Sequence, residues 1–360
     1  MLSVRRIKSL SRSELEGRLH PGQPSSLTAT VELLLREKRW AQVLQLAERF
    51  SDGFVAEASL TYAWAQALRE SGDPDRSAKV AERAYSMHPG EHDQHWSIAR
   101  ILESRGERDW AEREYQYLIE NERQNHRVAS GYSLFGMFRL SELLHARGKH
   151  LKAATFLADA EKAIKERPES QRFLGNEPNW LPTRKHVFMA AHHKQLGDAT
   201  AQTQALLSAL ALSPHDADVL IELYRLEDPG DEVREQTMKQ LGAAIEHFHD
   251  EMLATPEDST GYNQYAWLVG NTEGDLDEAL KASRTSLQLR PGTAGYLDTL
   301  GRVHYTRGEY LEAVQVQQQA VALEPNSQPL VAQLELFRAA RERQLNAAPG
   351  DELPESKNDN

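Results

Sequence analysis

Residues 292–327 read GTAGYLDTLGRVHYTRGEYLEAVQVQQQAVALEPNS, and the fold of the chain is decided there. Leu297, Leu300, Gly301 and His304 stand three, one and three residues apart, which puts all four on one face of a helix. Gly301 is small where the two helices of a hairpin come closest, and Gly308 ends the first helix in a cap conformation that is costly for other residues. Tyr310, Ala313, Val314, Ala320, Val321 and Leu323 form a second apolar stripe at helical spacing. Pro325 stops it, because proline cannot continue the hydrogen-bond ladder. The stretch spells helix, turn, helix, stop.

Outward from there the pattern recurs. Tyr262, Tyr265, Ala266 and Val269 precede a turn at Asn271–Gly274, and Ala279, Leu280, Leu287, Leu289 and Pro291 follow it. The same slots hold Trp64, Ala65, Leu68, Gly72, Ala81 and Ala84, then Ile98, Leu102, Gly106, Ala111 and Leu118. They recur at Met137, Leu140, Leu144, Gly148, Ala153 and Leu157, and at Met189, Ala190, His193, Gly197, Leu206 and Pro214. A degenerate copy, Val31–Phe50 with Trp40 after the turn, opens the series. A glycine followed by a charged residue marks seven joints: Gly72, Gly106, Gly148, Gly197, Gly230, Gly274 and Gly308. The steps from Gly72 to Gly106 and from Gly274 to Gly308 are both 34 residues. A unit of that period cannot bury its apolar face alone and stacks on copies of itself.

Three steps are longer, at 42, 49 and 44 residues, and their extra residues fall at Asn121–Tyr132, Pro168–Pro182 and Asp231–Ala254. The first and third read as helix extensions. The second is a Pro/Asn/Gly loop carrying Trp180, too long for a plain turn. It is either a functional loop contact made by Trp180 or a tolerated insertion that packs its own Trp and Phe.

The unit at 292–327 resembles the tetratricopeptide repeat pattern W-x2-L-G-x2-Y…A-x3-F…P, with Leu297 for the first aromatic, His304 for the tyrosine and Gln317 for the phenylalanine. The resemblance covers about residues 27–327 and implies an all-α, right-handed α-solenoid of about eight helix hairpins. Gln328–Leu345 reads as a capping helix that turns Leu330, Val331, Leu334 and Phe337 inward. The expected organisation is a flexible arm over 1–26, the repeat array with its cap over 27–345, and a disordered acidic tail over 346–360.

The resemblance further implies that the first helix of each hairpin lines a concave groove in which partners bind as extended peptides or helices. Carried onto this chain, the groove of the last two full repeats shows Asn263, Gln264, Trp267, Asp298, Arg302 and Tyr305. Upstream it shows Tyr62, Gln66, Trp96, Arg100, Arg139 and Glu142. An aromatic beside an amide and an arginine is the usual makeup of an interaction hot spot. The family's carboxylate-clamp version needs lysine and asparagine at set groove positions, and Tyr62, Gln66, Trp96 and Arg100 do not reproduce that set.

Composition narrows the remaining classes. The 360 residues are 40% apolar and 27% charged, as in a folded chain, and carry a formal net charge of −12, which disfavours a nucleic-acid partner. No cysteine occurs, so disulfides, thiolate nucleophiles and thiolate metal sites are excluded together. No apolar run reaches the length of a membrane span, and the Arg/Ser-rich start lacks an apolar signal core. A cytoplasmic protein is expected, with organelle import as the alternative.

No phosphate-cradling glycine loop and no H-E-x-x-H appear. His92 and His95 have metal-compatible spacing, but with Glu91 and Asp93 they suit the start of a helix. No cofactor, metal or catalytic residue is expected. The sequence therefore points to a non-catalytic scaffold for protein partners. An obligate subunit of a larger assembly, or a repeat region serving an activity carried elsewhere, are the alternatives.

Overall fold

The computed structural model describes residues 24–88, 90–125, 131–166 and 179–346. Most of the expected arm over 1–26, most of the 168–182 loop and all but Asn346 of the expected tail over 346–360 lie outside them, while residues 24–26 and 346 are helical. Among the described residues there are eighteen α-helices and no strand, and no helix is long and apolar enough to cross a membrane. The chain divides into two compact units, Met1–Asn125 and His126–Asn360.

The first unit holds α1 (Pro24–Arg36), α2 (Trp40–Arg49), the short α3 (Ser51–Ala56), α4 (Ala58–Glu70), α5 (Pro74–Tyr85), α6 (His92–Arg105) and α7 (Arg108–Asn125). Its hairpins are α1/α2, α4/α5 and α6/α7. Val31, Leu34, Val43, Phe54 and Leu60 form a buried core, and Trp40 packs at its edge as the degenerate first repeat requires.

The second unit holds α8 (Gly131–Ala146), α9 (His150–Glu166), α10 (Trp180–Gln195), α11 (Ala199–Leu212), α12 (Ala217–Tyr224), α13 (Asp231–Ala254), α14 (Ser259–Asn271), α15 (Leu276–Leu289), α16 (Ala294–Thr306), α17 (Tyr310–Leu323) and α18 (Gln328–Asn346). Consecutive helices from α8 to α17 pair into five hairpins, and α18 packs on α17 and α16. Leu220, Leu241, Phe248, Tyr265, Val269 and Val303 belong to one continuous core that runs through several hairpins, which is how a stack stabilises units too small to stand alone.

The recurring glycine–charge pair has a local cause. At Gly308 the backbone is left-handed, φ +77, and the Glu309 amide donates back to the His304 carbonyl at 2.9 Å, closing the helix end. At three of the pairs the aspartate caps the next helix: Asp73 accepts from the Arg76 amide, Asp198 from Ala201, and Asp275 from Asp277 and Glu278, whereas Asp231 already lies inside its helix. One dipeptide stops a helix and starts its partner.

Gly301 lies at the contact its position suggested. A Cβ there would stand 2.9 Å from Gln317 Oε1 and 3.1 Å from a ring carbon of Phe337, so α16, α17 and α18 meet over it. The extra 231–254 residues are one helix of 24 residues, paired with an α12 of only 8. Likewise α7 runs to Asn125, into the first long step.

The first-helix face of the second unit as a candidate functional site

The first helices of the second unit, α8, α10, α12, α14 and α16, carry a ladder of polar contacts. Arg184 of α10 is its centre. One nitrogen donates to Glu142 of α8 at 3.4 Å and the other to Asp218 of α12 at 3.2 Å. Asp218 also accepts from the Trp267 indole N–H of α14 at 2.9 Å. Asp216 caps α12 through the Val219 amide, which places Asp218 in the first turn, where the helix dipole favours a carboxylate. Burial works against the charge on Arg184, but Glu142, Asp218 and Asp216 outweigh it and raise its pKa. Burial, with Asp218 beside it, pushes the Asp216 carboxyl up.

Trp267 is half-buried, with its ring edge on the core and its N–H on the ladder. Asn263 and Gln264, one turn earlier on α14, are half-buried too, and Asn263 Oδ1 is enclosed without a donor among the described residues. At the other end of α14, Arg225, the residue that follows α12, donates to Asn271 Oδ1 at 2.6 Å.

Asp298, Arg302 and Tyr305 are placed differently from an open groove, because α18 covers them. Arg302 is 7% exposed and Tyr305 4%. Arg302 donates through two nitrogens to Gln333 Oε1, at 3.0 and 2.5 Å, and lies over the rings of Tyr305 and Phe337. Tyr305 stacks on Phe337 with centroids 4.9 Å apart. Asp298 accepts from Gln317 and Gln333. Burial, then the proximity of Arg225, lowers the Arg302 pKa to about 10, and burial raises that of Asp298. These three residues hold α18 in place.

Trp180 opens α10 and packs edge-on against Phe138 of α8, centroids 4.3 Å apart, so it joins two helices. The upstream residues of the first unit are mostly engaged internally. Tyr62 is buried and donates to Glu114 at 2.5 Å; Gln66 is buried; Arg100 donates to Glu103 at 3.2 Å; and Trp96 lies against Tyr115. Arg139 approaches the Phe138 ring.

His95 is buried, contacts Glu114 through Nδ1 and the His88 carbonyl through Nε2, and stacks on Tyr117. His92 pairs with Asn121 of α7. Asp93 stands in the first turn of α6, whereas Glu91, at the cap position, makes no side-chain cap bond. Among the described residues no three histidines or carboxylates are grouped to hold a metal.

Sequence reasoning reached Glu142 and Trp267 but missed Arg184 and Asp218. The signal for both was their separation of 34 residues, close to one repeat, which sets them in the early turns of successive first helices.

No protein-family model matches the chain, and no curated protein matches it. Among solved structures it is similar to a thermophilic TPR protein of Thermus thermophilus, at 20% identity over 58% of this chain and 99% of that one, with a TM-score of 0.37. It is also similar to a tetratricopeptide repeat protein of Parabacteroides merdae, at 13% identity over 84% of this chain and 99% of that one, with a TM-score of 0.41. The fold itself stands on the chain's own features: helix hairpins, several of them joined by left-handed glycines, a small residue at the contact, and a core that passes from one pair to the next. They define an all-α stack of helix hairpins, the fold that the tetratricopeptide resemblance implies.

Proposed function

We propose that the chain is a non-catalytic scaffold that captures a segment of a protein partner on the first-helix face of its second unit. The observation that carries this reading is Trp267, a half-exposed tryptophan held in one orientation by Asp218 within a row of charged and amide side chains. A fixed aromatic flanked by polar groups anchors a partner at low entropic cost. In this reading Trp267 supplies apolar area, while Asn263, Gln264, Arg184 and Asp218 offer hydrogen bonds to the partner's backbone. Asp298, Arg302 and Tyr305 act indirectly, by seating α18 at the end of that face. The net charge of −12 favours protein over nucleic acid as partner.

The test is recovery of partners by the tagged chain from its own cells. Trp267→Ala with Asp218→Ala should lose the partners while keeping the helical spectrum of the parent. The exposed pair Glu312→Ala and Gln319→Ala on α17 should lose nothing. Full recovery with the Trp267 variant would refute the assignment of this face.

A further inference from the structure

Three helices of the second unit bring imidazoles together where α8 turns into α9. His145, in the last turn of α8, and His150, at the start of α9, place their Nδ1 atoms 3.0 Å apart and their rings 4.6 Å apart. Phe188 of α10 stacks on His145 at 4.2 Å. His192, one turn further along α10, is near enough to His150 for its charge to disfavour a proton there. Arg184, one turn back, lies 5.5 Å over the Phe188 ring. The charged and titratable groups near His145 are therefore His150 from α9, Arg184 from α10, and Glu142 on α8 itself, which already accepts from Arg184, while His192 acts on His150.

Two neutral imidazoles at this distance make one hydrogen bond, with one Nδ1 donating and the other accepting. A first proton on His145 creates an imidazolium near Arg184, whose neighbour Glu142 is already engaged. A second leaves two N–H donors facing each other. We propose that this junction is an acid-operated switch: protons taken up at His145 and His150 break the pair, part α8 from α9 and α10, and loosen the Arg184 bridge of the first-helix ladder. Its effect on partner capture rests on the function proposed above, whereas the switch itself is read on the free chain.

Burial, His150 and Arg184 together bring His145 down to about 4, and burial with His192 lowers His150. The unfolded chain then takes up these protons first as the pH falls. Stability is fully present above about 6.5 and is lost progressively toward about 4.

The experiment uses the full chain without a partner. Nitrogen-detected NMR should show His145 still neutral at pH 5, where exposed histidines are charged. In urea, the unfolding constant of the second unit should rise between pH 7 and pH 5 roughly tenfold more in the parent than in the variant His145→Asn with His150→Asn. The Arg184 side-chain N–H should exchange faster below pH 5 in the parent only. A His145 that titrates near the ordinary histidine value would overturn the switch, and that reading needs no variant to fold. Equal acid loss in parent and variant would overturn it as well, and unchanged Arg184 exchange would remove its link to the ladder.

Discussion

Each unit ties three of its first helices together through one arginine, and the two arginines live in different surroundings. In the first unit Arg105 of α6 donates to the Ser59 carbonyl of α4 at 2.8 Å and to Glu32 of α1 at 2.5 Å, with its side chain 4% exposed. In the second, Arg184 links α8, α10 and α12 with its side chain 20% exposed and its partner Asp218 53% exposed. A guanidinium buried this deeply acts as a structural tie, because the helices it bridges pack around it and removing it leaves a void and an unmade bond to the Ser59 carbonyl. A partly exposed pair such as Arg184 with the half-exposed Asp218 contributes less to stability but stays within reach of a visitor. The same device holds one unit together and leaves the other with a surface that can be read.

The sharpest way to break this contrast is Arg105→Ala. It should destabilise the first unit by on the order of 3 kcal/mol and raise hydrogen exchange in α1, α4 and α6, leaving α14 to α18 as they are. Exchange rising equally in both units would erase the distinction.

Next in size is Gly301→Leu, which drives a side chain into Gln317 and Phe337. A loss of about 1–3 kcal/mol, confined to α16, α17 and α18, is expected from urea unfolding followed by exchange. A melting curve matching the parent would mean the three helices can part there without cost.

A smaller effect sharpens what the units share. Tyr62 bonds Glu114 in the first unit and Tyr265 bonds Glu278 in the second. Burial, reinforced by the carboxylate, raises both phenol pKa values. Their contribution is present below about pH 10 and is lost as the pH rises further, because the unfolded chain ionises first. Tyr62→Phe should flatten the alkaline loss of the first unit alone, and Tyr265→Phe that of the second, in unfolding followed between pH 8 and pH 11.

Smallest for stability is Arg184→Gln, expected to cost less than about 1 kcal/mol while weakening partner recovery. A large stability loss would make Arg184 a structural tie like Arg105.

The hairpins were legible in the sequence because each depends on local chemistry: a glycine that must turn left-handed, an aspartate that caps, an apolar stripe at helical spacing. Gly301 could be read for the same reason, since its smallness has no other use in a helix. The burial of Arg302 and Tyr305 could not. The pattern of α18 shows that Phe337 faces inward, but not that Gln333 beside it answers Arg302 and Asp298. Arg184 and Asp218 were hidden by their ordinariness, as lone charges on helices whose meaning arises only when repeats stack.

The unequal hairpin of α12 and α13 has a kinetic consequence. A helix of 24 residues rises about 36 Å and exceeds the roughly 12–15 residues at which a helix in water begins to hold its own shape. With 8 residues, α12 rises about 12 Å and falls short of that length, and its Val219, Leu220, Ile221 and Leu223 are all buried. Such a segment gains order only by docking. Folding of this hairpin therefore has a direction: α13 winds first and offers Leu241, Ala244 and Phe248, and α12 condenses onto it. Pulse-labelled exchange should find α13 amides protected before those of α12, and the reverse order would show that neighbouring hairpins, rather than helix length, set the sequence of events.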